Sequence, residues 1–350
     1  MEKIKTAFLG ENKKRTICIS VVIVVYAIIE LLMNTGSLQS LFVNLLVPVT
    51  SYIIVALALN LVVGISGELS LGHAGFMSIG AFTGVVVSNV TSTWITNDIL
   101  RLILAIIVGA IVAGIFGFLI SIPVLKLQGD YLAIVTLAFG QIIKTLINNT
   151  FLGYDSAGFH FSFINNNFEL AEGGRMLLNG PVGAAGTDCI STFTVGVIMI
   201  IITLIIIFNF MNSKYGRCVM ATRDDRIAAE SVGIDVVKTK TMVFVISSAI
   251  AGAAGVLYGL NFSTLAPIKF DFNQSILILV YVVLGGLGNM LGTMISTSIL
   301  VLLPELLRFL ADYRMLIYAI VLIVIMIITN NPTIKATIKS IFHRKKAEGD

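Results

Sequence analysis

Residues Ser213 to Lys240 read SKYGRCVMATRDDRIAAESVGIDVVKTK, ten charged residues set between two strongly apolar stretches at 193–211 and 241–260. Ten charges cannot lie in hydrocarbon: at roughly 3 kcal/mol each, the cost is about 30 kcal/mol. The stretch is therefore a water-exposed loop joining two membrane spans. Inside it the pattern is that of a short helix. Thr222 and Asp225 fit a Thr-x-x-Asp capping box, and Arg223 to Val232 then reads as helix, with Ile227, Ala228, Ser231 and Val232 on a small apolar face. Gly233 stops it, with Ile234 placed for the apolar contact of a Schellman end. A short capped helix on such a loop either docks into a soluble partner or serves only as a connector.

The rest of the chain supports the membrane reading. Of 350 residues, 57% are apolar and 12% charged, against about 25% charged in a soluble domain; mean hydropathy is +0.98. The fold class is all-α, a polytopic helical membrane protein. Cys18, Cys189 and Cys218 show no pairing or metal-ligand spacing, and His73, His160 and His343 are scattered, so the sequence offers no metal site.

Residues 1–15 are basic and 16–33 are apolar; with no small-x-small cleavage site, the run reads as a retained first helix rather than a signal peptide. Further apolar segments lie at 42–65, 70–88, 101–124, 131–148, 193–211, 241–260, 272–288, 291–307 and 315–329. The expectation is eight to ten spans, with ten the best reading. The segments 272–288 and 291–307 are short for a full crossing and read as half-helices or tilted helices. Ten spans with the N-terminus inside put 1–15, the turn at Lys126, 213–240 and the tail 331–350 in the cytoplasm, and these hold 17 of the 23 basic residues. By the positive-inside rule both termini and the charged loop are cytoplasmic. The permease domain is then 16–330. Its longest polar segment, 149–192, lies outside as a mobile loop or as a surface receiving another protein.

Two membrane segments are broken by glycine. Leu59 to Phe82 carries Gly64, Gly67, Gly72, Gly75 and Gly80, with Glu68, Ser70 and His73 among them. Val280 to Thr293 carries Gly285, Gly286, Gly288 and Gly292. Irregular backbone at membrane depth survives only against protein or a water-filled cavity, and in transporters it often forms the pathway. Close packing through small residues explains the same glycines, and both explanations can hold together. A third landmark, Gly129-Asp130, turns the chain, with Asp130 as N-cap of the next span.

Four stretches together resemble LivM-type permeases: ISGELSLGHAGFMSIGAF (65–82), LQGDYLAIVTLAFGQII (127–143), DRIAAESVGI (225–234), and ILILVYVVLGGLGNMLGT (276–293) followed by LVLLPELLR. The third is similar to the Glu-Ala-Ala…Gly coupling loop of ABC-importer permeases, here written Ala-Ala-Glu and without a terminal Leu-Pro. Gln128 departs from the Arg expected in many relatives, and 149–192 matches only loosely.

The resemblance implies a bacterial or archaeal plasma-membrane permease, half of the translocation pathway for leucine, isoleucine or valine. Its partners would be a second, LivH-type permease, two ABC ATPase subunits and an extracytoplasmic binding protein. It implies ATPase-coupling roles for Arg223, Asp224, Asp225, Arg226, Ala228, Ala229, Glu230 and Gly233. It implies pathway roles for Gly67, Glu68, Ser70, Gly72, His73, Gly75, Gly285, Gly286 and Gly288. The chain has no Gly-x-x-x-x-Gly-Lys-Ser/Thr phosphate loop, so it binds no cofactor of its own, and ATP and Mg²⁺ belong to the partners. The chain is then a transporter subunit and not an enzyme. Two rivals stand beside this reading: an ABC permease for urea or amides, sugars or nucleosides, and a secondary transporter acting alone. The last would need mid-span ionisable residues, which apart from Glu68 and His73 are nearly absent.

Overall fold

The computed structural model describes residues 2–36, 40–92, 94–125, 130–155, 158–164, 174–307 and a few positions between 316 and 323. Its helices are α1 (Glu2–Asn34), α2 (Ser40–Asn60), α3 (His73–Thr91), α4 (Asp98–Val124), α5 (Asp130–Asn148), α6 (Phe193–Asn212), α7 (Lys214–Asp224), α8 (Arg226–Ser231), α9 (Val236–Gly259), α10 (Phe272–Gly285) and α11 (Met290–Leu306). A π-helix, Leu61–Ser66, continues α2.

Among the described residues, seven helices are long and apolar enough to cross a membrane, and α10 and α11 are shorter apolar helices. At 1.5 Å per residue the 14-residue α10 and 17-residue α11 reach about 21 and 26 Å, short of a hydrocarbon core of about 30 Å. They are consecutive arms of a hairpin turned at Gly286–Asn289, and each is short, as read from sequence. Of the tenth expected span, 315–329, only a few scattered positions are described; the tail 331–350, the turn at Lys126 and the capping side chain of Asp130 lie outside the described residues.

Helix α9 is the centre of the bundle. It packs against α2, α3 and α4, and its spanning window, like that of α2, is mostly buried, whereas α1 sits at the periphery against α6. Between membrane helices there is no hydrophobic drive to associate, so backbones approach through small residues. Here Gly80 of α3 lies against Gly252 of α9, and a Cβ on Gly84 would press into Val256.

Small sheets cover one end of the bundle. Strands β1 (Thr150–Asp155), β2 (Gly158–Phe163) and β3 (Arg175–Asn179) form an antiparallel sheet in the order β2-β1-β3, and β4 (Ala184–Ala185) pairs with β5 (Thr264–Leu265). The segment read from sequence as a loop thus has a folded cap. At the same end Arg101 is buried and donates to Asp188 Oδ2 at 2.8 Å, to Asp98 Oδ1 at 3.2 Å and to the Ser88 carbonyl and hydroxyl at 3.1 Å. Arg101 is thus a clasp joining α3, α4 and the connection from β4 to α6.

The opposite end carries α7 and α8, and here the sequence reading needs correction. The helix does not begin at Thr222. Ser213 caps α7, its hydroxyl accepting the Gly216 N–H at 3.1 Å. A helix nucleated that early includes Thr222, whose hydroxyl is spent on the Cys218 carbonyl at 2.8 Å. Asp225 breaks the run in an extended conformation and caps α8, accepting the Ala228 N–H at 3.0 Å. The C-terminal reading stands: Gly233 N–H reaches Glu230 O at 3.0 Å and Ile234 N–H reaches Ala229 O at 3.1 Å, the paired bonds of a Schellman end.

Candidate functional site

The site grows from one residue at the end of α2. Asn60 is fully buried, the lone amide closing a long apolar run. Beyond it the helix widens into the π-form and ends at Gly67, whose φ of +75° places it in the left-handed region open to glycine. Gly67 N–H closes on Val62 O, and Glu68 N–H reaches the same carbonyl at 3.2 Å. The last carbonyls of a helix need outside donors. For Gly64 O that donor is Arg223 Nη1, at 3.1 Å, from the last turn of α7.

The second glycine-broken segment meets the first here. Asn60 Oδ1 accepts the Gly288 N–H at 2.8 Å, and Asn60 Nδ2 donates to Thr293 Oγ1 at 2.9 Å. Thr293 passes its own proton to Asn289 O at 3.0 Å, and Asn289 Oδ1 caps α11 at Gly292 N–H. A Cβ on Gly64 would collide with the Gly288 backbone, so the two segments approach this closely because residue 64 is glycine. Gly285, Gly286 and Gly288 form the turn of the hairpin, with Gly286 and Gly288 at positive φ.

Residues 68–75 run from this junction towards α5 and α9. Glu68 pairs with Lys240, both side chains largely shielded. His73 is buried in a hydroxyl network: its Nε2 lies 2.7 Å from Ser247 Oγ and its Nδ1 3.3 Å from Ser70 Oγ. Ser247 gives its proton to Ala58 O at 2.6 Å. The Ser247 oxygen must therefore accept from His73, which puts the ring proton on Nε2 and leaves Nδ1 to accept from Ser70. Leu71 N–H donates to Thr136 Oγ1 at 3.0 Å. Added Cβ atoms on Gly72 and Gly75 would come within 2.7 Å of Thr136 O and 2.9 Å of Gly140 Cα. At those two positions glycine serves close packing on α5.

Helix α8 presents a different surface. Ile227 and Val232 are 80% and 75% exposed, and Ala228 is exposed beside them, while Ala229 is buried. Arg226 Nε and Glu230 Oε1 pair at 3.0 Å along one flank, and Asp224 pairs with Arg223 at 2.9 Å. Asp235 then caps α9, accepting the Lys238 N–H at 2.9 Å.

The structure thus gathers Gly67, Glu68, Arg223, Gly285, Gly286 and Gly288 around Asn60 and Gly64. Ser70 and His73 form a separate knot against α9, and Asp225 to Gly233 stand on the exposed helix. Asn60, Thr293, Lys240 and Ser247 are missing from the residues singled out by sequence. Only Asn60 leaves a visible signal, a polar residue interrupting an apolar run just ahead of the first glycine.

Residues 41–329 match the family described as branched-chain amino acid transport system, permease component. The chain belongs to this permease family. The match takes in both glycine-broken segments, the α7–α8 end and the hairpin, and begins after α1. Among relatives, the permease is similar to the high-affinity branched-chain amino acid transport system permease protein LivM of Salmonella typhimurium, with 33% identity over 230 residues, covering 62% of this chain and 53% of the relative. The LivM protein of Escherichia coli is 32% identical over 233 residues, covering 63% and 54%. The corresponding LivH protein of Salmonella typhimurium is 31% identical over 149 residues, covering 39% and 48%. The chain spans about half the length of the curated relatives it matches. No solved structure matches it.

Proposed function

We propose that this permease is the LivM-type membrane subunit of an ATP-driven importer and forms half of the pathway for branched-chain amino acids. The observation that carries the reading is α8: a capped helix at the charged end of an apolar bundle, showing Ile227 and Val232 to water. Apolar side chains on a short exposed helix fit a groove on a soluble partner. That partner is an ABC ATPase, present twice, with a LivH-type permease and an extracytoplasmic binding protein completing the assembly. The excess of Lys and Arg at the termini and in 213–240 supports a cytoplasmic α7–α8 end and an external sheet end in a bacterial or archaeal plasma membrane. In domain terms, 1–15 and 331–350 are cytoplasmic extensions of a permease domain at 16–330.

ATP and Mg²⁺ are held by the ATPase subunits; this chain has no phosphate loop to hold them. Nucleotide-driven movement of the ATPases draws on Arg223 to Gly233 and rocks the glycine-broken spans between outward and inward access. Leucine is zwitterionic, and backbone N–H and C=O groups at broken helices suit its two charged ends without a buried charged side chain. Affinity capture of the tagged chain, coexpressed with its genomic neighbours, tests the assembly. The expected result is a stable complex with two ATPases and a second permease whose ATP hydrolysis rises with leucine-loaded binding protein. Capture of the chain alone, or stimulation by a sugar, urea or nucleoside instead, would refute the assembly or the cargo respectively.

A further inference from the structure

The two chain segments that enter and leave α8 both hold the same five-residue stretch of the membrane domain. On the entering side, Arg223 Nη1 donates to Gly64 O at 3.1 Å. Its stem lies over left-handed Gly67, where an added Cβ would sit 2.7 Å from Arg223 Cγ. On the leaving side, Lys240 in α9 pairs with Glu68, the two side chains only 12% and 14% exposed.

Residues 64–68 are also where the α2–α3 path leaves regular helix. They contain the end of a π-helix, a left-handed residue and the start of irregular backbone. A π-turn is a rare interruption of an α-helix, found frequently at functional sites. On the far side of the junction, Asn60 fastens Gly288 and Thr293 of the α10–α11 hairpin. Displacement of α8 through a single contact would let the junction pivot about it. Two contacts, on flanking segments and four residues apart on the target, fix its orientation as well.

We propose that Arg223 and Lys240 are paired transmission residues: together they grip 64–68, so that movement of α8 turns the π-helical junction and, through Asn60, the hairpin. Glu68 is then the anchor of this grip and not a ligand for the transported solute. The inference rests on the importer reading and adds to it the joint through which α8 acts.

The test is leucine uptake per ATP hydrolysed by the complete complex, with ATPases and binding protein, in proteoliposomes. Lys240→Met leaves complex assembly and ATP hydrolysis within twofold of the parent, while uptake per ATP falls at least tenfold. Arg223→Met lowers the same ratio. The charge exchange Glu68→Lys with Lys240→Glu restores at least a third of the parental ratio, which a general packing role for either residue would not do. A ratio within twofold of the parent in both single variants overturns the grip, as does an assembled exchange variant with no recovery. If the unaltered complex hydrolyses ATP without importing leucine, the importer reading falls and the grip with it. Normal import by the unaltered complex with an unchanged ratio in the variants removes the grip alone.

Discussion

Asn60 accepts the backbone N–H of Gly288 at 2.8 Å across 228 positions of sequence. The bond joins two membrane segments that each lose regular helix at a glycine. It also gives the junction a buried amide whose oxygen and nitrogen are both used, which is the condition for a polar group to sit inside a bundle without penalty.

Asn60→Leu removes that amide and leaves Gly288 N–H and Thr293 Oγ1 without this partner. Gly288 is exposed and its N–H can turn to water, but Thr293 is fully buried, and a buried group left short of a partner costs about 1–3 kcal/mol. The purified protein should melt several degrees lower in detergent, measured by a thermal-shift assay. An unchanged melting temperature would show that the junction does not depend on the amide.

Gly67→Ala combines a left-handed backbone with a contact to the Arg223 stem. The conformational term alone is about 1–2 kcal/mol. Gly186, also at positive φ but with open space around it, supplies the control. Loss of stability and of uptake is expected to be larger at Gly67 than for Gly186→Ala, and equal losses would argue against the Arg223 contact.

On α8 and at its C-cap, Ile227→Asp and Val232→Asp replace side chains that are mostly exposed in the isolated chain. Surface substitutions of this kind usually change stability by less than about 0.5 kcal/mol. The melting temperature should therefore hold while copurification of the ATPases is lost. Retention of the ATPases in both variants would remove α8 from the proposed interface.

Arg101→Met tests the clasp at the sheet end. Asp188 and Asp98 are half exposed and can turn to water, so the main loss is the donor to Ser88 and the hold on the 188 region. The cost is about 1–3 kcal/mol. It should appear as earlier proteolysis of 149–192, with the α7–α8 end unaffected.

The parts of this architecture that sequence makes legible are those governed by periodicity and by charge. Ten charges between 213 and 240 place a solvated loop, and apolar runs of 18 or more residues place the spans. The Schellman stop at Gly233 is legible because it needs only local backbone. The start of α8 is not, because Ser213 competes nine residues upstream of Thr222 and extends an earlier helix through it. The sheet at 150–179 is hidden because its strands are short and lie beside spans with far stronger signals. The junction itself is built from pairs such as Asn60–Gly288, Arg223–Gly64 and Lys240–Glu68, and nothing in one linear sequence marks residues so far apart as neighbours.

Reconstitution measures the central claim most directly: leucine uptake into liposomes holding either this chain alone or the complete complex, with and without ATP on the α7–α8 side. The account predicts accumulation only for the complete complex and only with ATP. Uptake at the same rate by the chain alone, without nucleotide, would contradict it.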